Sequence, residues 1–108
     1  MAAYALTVTL GDAVGQKLAG SPLRVVRGVA NITNYNQTTV PEATDITGRF
    51  RGNPTVVCSG VSNGTTKQLV RWSPADLGFR CYVPTTGAET ATDVDVGSVD
   101  FLAFGVAP

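Results

Sequence analysis

Val96-Gly97-Ser98-Val99-Asp100-Phe101-Leu102-Ala103-Phe104-Gly105-Val106 is the stretch that decides the fold. Successive side chains of an extended chain point to opposite faces. Val99, Phe101 and Ala103 therefore share one face, and Leu102 and Phe104 share the other. Apolar side chains on both faces mark a closing strand over 96–106 that is covered on both sides. Either it lies deep in the fold, or one of its faces meets a partner.

The same period runs through the rest of the chain. Tyr4, Leu6, Val8 and Leu10 alternate with Ala5, Thr7 and Thr9, and Gly11-Asp12 ends that run. Residues 23–33 are rich in β-branched side chains and read as one long strand, or as two strands bent near Gly28. A strand over 55–61 leads to Asn63-Gly64, a strong two-residue hairpin signal because both positions tolerate positive φ. The return runs over 67–72, turns through Ser73-Pro74-Ala75-Asp76 and Gly78, and continues as a strand over 79–83. Residues 34–53 form a long polar loop with one helical turn near 42–46. A loop of that length in a small domain is more often functional than idle, which makes it a candidate contact surface. No window holds a 3.6-residue apolar period long enough for a further helix.

These elements fit one domain over 1–108, with room for one core. The expected fold is all-β, a small antiparallel sandwich or barrel with a long polar loop. The chain is 44% hydrophobic and 15% charged, with eight basic and eight acidic residues. A neutral domain has no overall field to draw in phosphate backbones or anionic lipid, so no nucleic-acid and no membrane partner is expected. The neutrality hides an asymmetry: all eight bases precede residue 81, while Glu89, Asp93, Asp95 and Asp100 follow it. The two regions pair within the fold, are solvated, or meet between neighbouring copies. Met1 to Leu10 lack a basic residue and are broken by threonines, so no secretory signal is expected there. The three Asn-x-Thr triplets at Asn31, Asn36 and Asn63 read as turn chemistry.

Cys58 and Cys81 flank Trp72 in a manner that suggests an immunoglobulin-type disulfide. If strands 55–61, 67–72 and 79–83 pair in order, the cysteines stand roughly 9–10 Å apart. A disulfide needs Cα atoms within about 7 Å. Two buried free thiols and a reducing site of synthesis are therefore expected.

No catalytic constellation emerges. The chain has no histidine, which removes the commonest general base and metal ligand. Two cysteines cannot make a four-thiolate zinc site, and no glycine-rich phosphate loop occurs. Asp93 and Asp95, with Glu89 nearby, form the one acidic group with calcium-binding chemistry; its plainer reading is a solvated loop. We expect no enzyme activity and no cofactor. The candidate interface residues lie in the polar loop and the tail. Tyr35 is either an exposed contact or a buried loop anchor, with Asn36 and Gln37 beside it. Arg49 and Arg51 flank Phe50, and planar guanidinium groups are favoured at protein interfaces. The apolar tail ends in Val106, Ala107 and Pro108.

Taken in order, several segments resemble the small structural proteins of tailed bacteriophages, of the head decoration or cement type. They are residues 28–35 (GVANITNY), the Asn63-Gly64 turn with Leu69-Val70-Arg71-Trp72, and Phe79-Arg80-Cys81-Tyr82. The close, Thr86-Gly87-Ala88-Glu89 followed by Asp95 to Gly105, is the most telling. The resemblance spans residues 25–106 and contains no catalytic motif. It implies a β-sandwich or barrel on the outer capsid surface of the virion, synthesised in the bacterial cytoplasm. The implied partners are the major capsid protein and further copies of the chain, as a homotrimer or other homo-oligomer. The competing expectation is a carbohydrate- or receptor-binding module of a phage tail or fibre, which would display exposed aromatic side chains. A ring-forming tail-tube or connector protein is a third.

Overall fold

Strand β7 (Gly97–Val106) lies between two neighbours, and the rest of the molecule is arranged around it. The computed structural model describes residues 4–10, 16–17, 23–64 and 66–107, the pair 16–17 by its backbone alone. The expected turn at Gly11-Asp12 lies outside these residues. On one side β7 pairs antiparallel with β3 (Leu23–Thr33), from Leu23 opposite Val106 to Ile32 opposite Gly97. On the other side it pairs with β4 (Arg51–Cys58), where Val56 faces Ala103 and Cys58 faces Phe101. Strand β1 (Ala5–Leu10) pairs with residues 28–33 of β3, and the short β2 (Gln16–Lys17) pairs with Val25 and Arg24. The sheet order is β1-β3-β7-β4, with β2 beside β3.

A second sheet consists of β5 (Leu69–Ser73) and β6 (Gly78–Tyr82), paired so that Trp72 faces Phe79 and Val70 faces Cys81. It covers the inner face of the first sheet. The Phe79 ring lies 6.0 Å from Phe101 and 5.3 Å from Trp72, and the Tyr4 hydroxyl donates to the Phe79 carbonyl at 2.8 Å. Val26, Ala30, Ile32, Val99, Phe101 and Ala103 supply the first sheet's share of the core. Each large apolar side chain buried there contributes roughly 1.5–3 kcal/mol. The all-β fold class expected from the alternation is the one observed.

Residues 34–50 complete the second layer. The chain is tied at one end by Tyr35 N–H to Val94 O (3.1 Å) and Asp93 N–H to Tyr35 O (2.8 Å). It runs past the β5–β6 turn, where Ala43 N–H donates to Leu77 O at 2.8 Å, and forms the single turn α1 (Thr44–Thr47). It ends with Phe50 against Gly105, where a Cβ would lie 2.7 Å from the ring. Ala43, Ile46 and Phe50 are buried on the way.

Three expectations need correction. The polar loop is shorter than 34–53, because β4 begins at Arg51. It passes Gly52 at φ +79° and takes five residues, Arg51 to Thr55, to match three on β7, Val106 to Phe104. Asn63-Gly64 is not a two-residue hairpin turn. Strand β4 pairs with β7, and residues 60–62 beyond it fold back on 68–70, with Val61 opposite Leu69, Ser62 N–H donating to Gln68 O (2.8 Å) and Val70 N–H to Gly60 O (3.2 Å). Asn63 and Gly64 dock on the start of β7 instead, through Asn63 N–H to Ser98 O (3.1 Å), Ser98 N–H to Asn63 Oδ1 (2.8 Å) and Gly64 N–H to Val96 O (3.0 Å). Glycine at both 64 and 97 permits this approach: a Cβ at Gly97 would collide with the Gly64 backbone, and Gly97 also has φ +87°. Of the two readings of residues 23–33, the single long strand is the one formed, and Gly28 keeps it close to its neighbours, since a Cβ there would strike the Thr9 carbonyl oxygen. The third correction concerns the cysteines. Both are free, but they sit in different sheets, Cys58 half-buried and Cys81 buried, rather than in one meander.

Candidate docking surface

Pleating sends alternate residues of β3, β7 and β4 away from the core. The register then builds the outer face row by row. Val29 lies beside Asp100, Arg27 and Val57 flank Leu102, Val25 and Thr55 flank Phe104, and Leu23 and Arg51 flank Val106. Leu102 is 42% exposed and Phe104 39%, so β7 is covered on one face only. Val57 (54%), Leu23 (44%), Val29 and Val106 extend the same stripe. Seven apolar side chains, with Val25 included, thus form a contiguous outer surface. Exposed apolar surface of this extent marks an interaction site more often than a bare solvent face. A depression of about 520 Å³ opens in it, lined by Arg27, Val29, Val57, Ser59, Asp100 and Leu102 among others. Two aliphatic walls and one charge of each sign give it the chemistry of a protein contact.

One group of ionisable side chains elsewhere, Tyr35, Arg80, Asp76 and Glu89, is engaged in holding the fold. Tyr35 is fully buried; its hydroxyl donates to Glu89 Oε2 at 2.6 Å and accepts from the Cys81 amide at 3.1 Å. Arg80 donates to Glu89 Oε2 (2.7 Å), to Asp76 Oδ2 (2.7 Å) and to the Gln37 carbonyl (3.0 Å). Burial, then the bond to Glu89, raise the Tyr35 hydroxyl well above its ordinary range. Hydrogen bonds from Arg80 and then Ser73 hold the Asp76 carboxyl below its usual value. Burial pushes the Cys58 thiol up to about 11 and the Cys81 thiol to about 12, so neither has thiolate character near neutrality. Glu89 is committed to Arg80 and Tyr35 rather than to Asp93 and Asp95, which are exposed. Among the described residues no group of three metal-ligating side chains gathers.

The expected interface residues divide between two ends of the molecule. Tyr35 is the buried loop anchor of its two readings, which removes it from the interface, and Phe50 is corrected: both rings fill the space between the loop and the sheets, and neither presents a surface. Asn36 is half-buried and its Oδ1 accepts from the Thr38 amide at 2.8 Å; Gln37 is exposed and its Nε2 donates to Thr90 O at 2.9 Å. Arg49 and Arg51 are exposed at the opposite end, where Arg51 pairs with Val106 at the foot of the apolar stripe. Pro108 lies outside the described residues. Sequence reasoning missed Val29 and Val57. Their alternation within 23–33 and 55–61 is legible, but their union with Leu102 needs the β3-β7-β4 order. No protein-family model matches the chain, and no curated protein or solved structure does either.

Proposed function

We propose that the chain is a structural protein of a tailed-bacteriophage virion, a capsid decoration protein that binds the outer surface of the major capsid lattice as an oligomer. The observation that carries this reading is the uncovered apolar face of β3, β7 and β4, in a domain whose buried polar groups serve packing. Burying Leu102, Phe104, Val57 and Val29 against protein would complete the second side of a sheet that the chain covers on one side only. A protein that binds the assembled lattice and not the dispersed subunits stabilises the lattice by mass action, and many copies add their effects.

The carbohydrate-binding reading has less support. Of eight aromatic side chains only Phe104 is exposed, and the Tyr82 ring carries the Arg71 guanidinium 5.9 Å from its centroid. The test is to purify particles, locate the chain and quantify it. A copy number that scales with the capsid lattice is expected, together with a lower melting temperature of capsids lacking the chain. A few copies per particle would move the reading to tail or fibre, and absence from particles would overturn it.

A further inference from the structure

The outer face carries two bases, Arg27 and Arg51, and one acid, Asp100, among its apolar residues; Arg51 lies at its foot beside Val106, and the placement of Arg27 and Asp100 is self-complementary. Arg27 sits opposite Leu102, and Asp100 sits opposite Val29. The two are therefore one strand and one outward position apart, roughly 8 Å. Both are exposed, and among the described residues neither takes part in an ion pair; the pairs present are those of Arg80. Val29, Leu102 and Val57 lie around them.

Accepting the reading above that this face docks a protein, we propose that its occupant is a second copy of this chain, in a two-fold contact that sets Arg27 of each copy against Asp100 of the other. An isologous interface must match itself, so every group near the axis needs its complement on the same patch. A two-fold axis crossing midway between Arg27 and Asp100, parallel to the face, brings each onto the other's partner position. The same rotation lays Leu102 and Val29 over their counterparts in the middle, where apolar groups exclude water from the charge pairs. Strands β3, β7 and β4, of 11, 10 and 8 residues at about 3.3 Å each and about 4.8 Å apart, give a projected face on the order of 450 Å². Standard interfaces bury roughly 800 Å² per partner, measured over the corrugated surface. The formal net charge of zero sets no overall repulsion between copies.

Charge reversal tests this directly on the full chain by sedimentation velocity. The wild type is expected to dimerise. Arg27→Glu sets a carboxylate against Asp100 of the other copy, and Asp100→Arg sets a guanidinium against Arg27. Each variant alone should therefore dimerise at least about tenfold more weakly. Mixed in equal amounts, the two should form a heterodimer, because each contact then joins like-charged variants to their opposites across the axis: the chain with two acids meets the chain with two bases. The double variant R27E/D100R should dimerise again. Far-UV circular dichroism verifies that each single variant is folded, and Leu102→Asp provides a second disruption at the centre. A wild type that stays monomeric at roughly 100 µM, where any micromolar Kd is populated, would overturn the proposal. So would folded single variants that fail to associate when mixed, or a dimer unaffected by Leu102→Asp. Cosedimentation with particles separates this from the capsid reading. A monomer that still attaches rejects only the second copy, and a dimer that does not attach rejects only the decoration role.

Discussion

The Tyr35 hydroxyl donates to Glu89 at 2.6 Å across 54 positions of sequence, and in the same place accepts the amide of Cys81. This junction fastens the start of the 34–50 segment to β6 and to the strand-poor stretch before β7. Arg80 closes it from the solvent side through its bonds to Glu89 and Gln37 O.

Tyr35→Phe retains the ring and removes the hydroxyl, leaving a buried amide and a carboxylate oxygen short of a partner. The expected loss is about 1–3 kcal/mol. Tyr35→Ala also opens a cavity, for about 3–5 kcal/mol by comparison with other large aromatic truncations. Urea titrations that follow Trp72 fluorescence measure both, and the midpoint should fall without a change in slope.

The glycines separate a steric demand from a dihedral one. Gly52→Ala meets only the cost of positive φ, roughly 1–2 kcal/mol, since nothing lies within 4 Å of the new methyl group. Gly97→Ala meets that cost and a collision with Gly64, and should lower the melting temperature further. Equal effects from the two would contradict the close approach of residues 63–64 to β7.

The two faces of β7 should respond differently to truncation. Phe101→Ala removes a ring that is 3% exposed and touches Phe79, at a cost of about 3–5 kcal/mol. Phe104→Ser lies on the outer face and should change the unfolding free energy of the monomer by less than about 1 kcal/mol. If the outer face associates, Phe104→Ser should also remove the dependence of melting temperature on protein concentration.

Both thiols should titrate in denatured, unreduced protein, and Cys81 should resist alkylation at pH 8 in the native state. The pH dependence follows from the same burial. The folded thiols have pKa values of about 11 and about 12, above the ordinary 9.0 of the unfolded chain. The native state therefore holds protons that the unfolded state releases. Their contribution is complete below pH 9 and is lost as the pH rises from 9 through about 12. Asp76 acts in the opposite sense: its depressed value gives stability above the ordinary carboxylate range that is lost as pH falls through the lowered one. Unfolding midpoints across the pH range measure both limbs.

Side-chain alternation carried much of the fold. The runs around Leu6 and Val8, Val26 to Ile32, Phe79 to Cys81 and Val99 to Ala103 each assign an inner face without reference to any other segment. The helical turn near Ile46 was legible for the same local reason. Asn63-Gly64 misled because its turn propensity is local, whereas the partner of β4 is chosen by burial. Val56 and Cys58 gain more against Ala103 and Phe101 on β7 than in a hairpin with β5.

The candidate site was less legible. Sequence placed the contact surface on the polar loop and marked Tyr35 and Phe50 within it. A polar segment carrying scattered aromatics reads the same whether it projects outward or is laid across a core. Period 2 alone determined that this protein is built of strands, and the absence of histidine from the chain limited its chemistry. Only tertiary structure decided which strands are neighbours, that residues 34–50 form the second layer, and that Leu102, Phe104, Val57 and Val29 share an uncovered face. The physical reason is that alternation fixes the two sides of each strand separately. The side that faces water is set by which segments are left over once the core is closed.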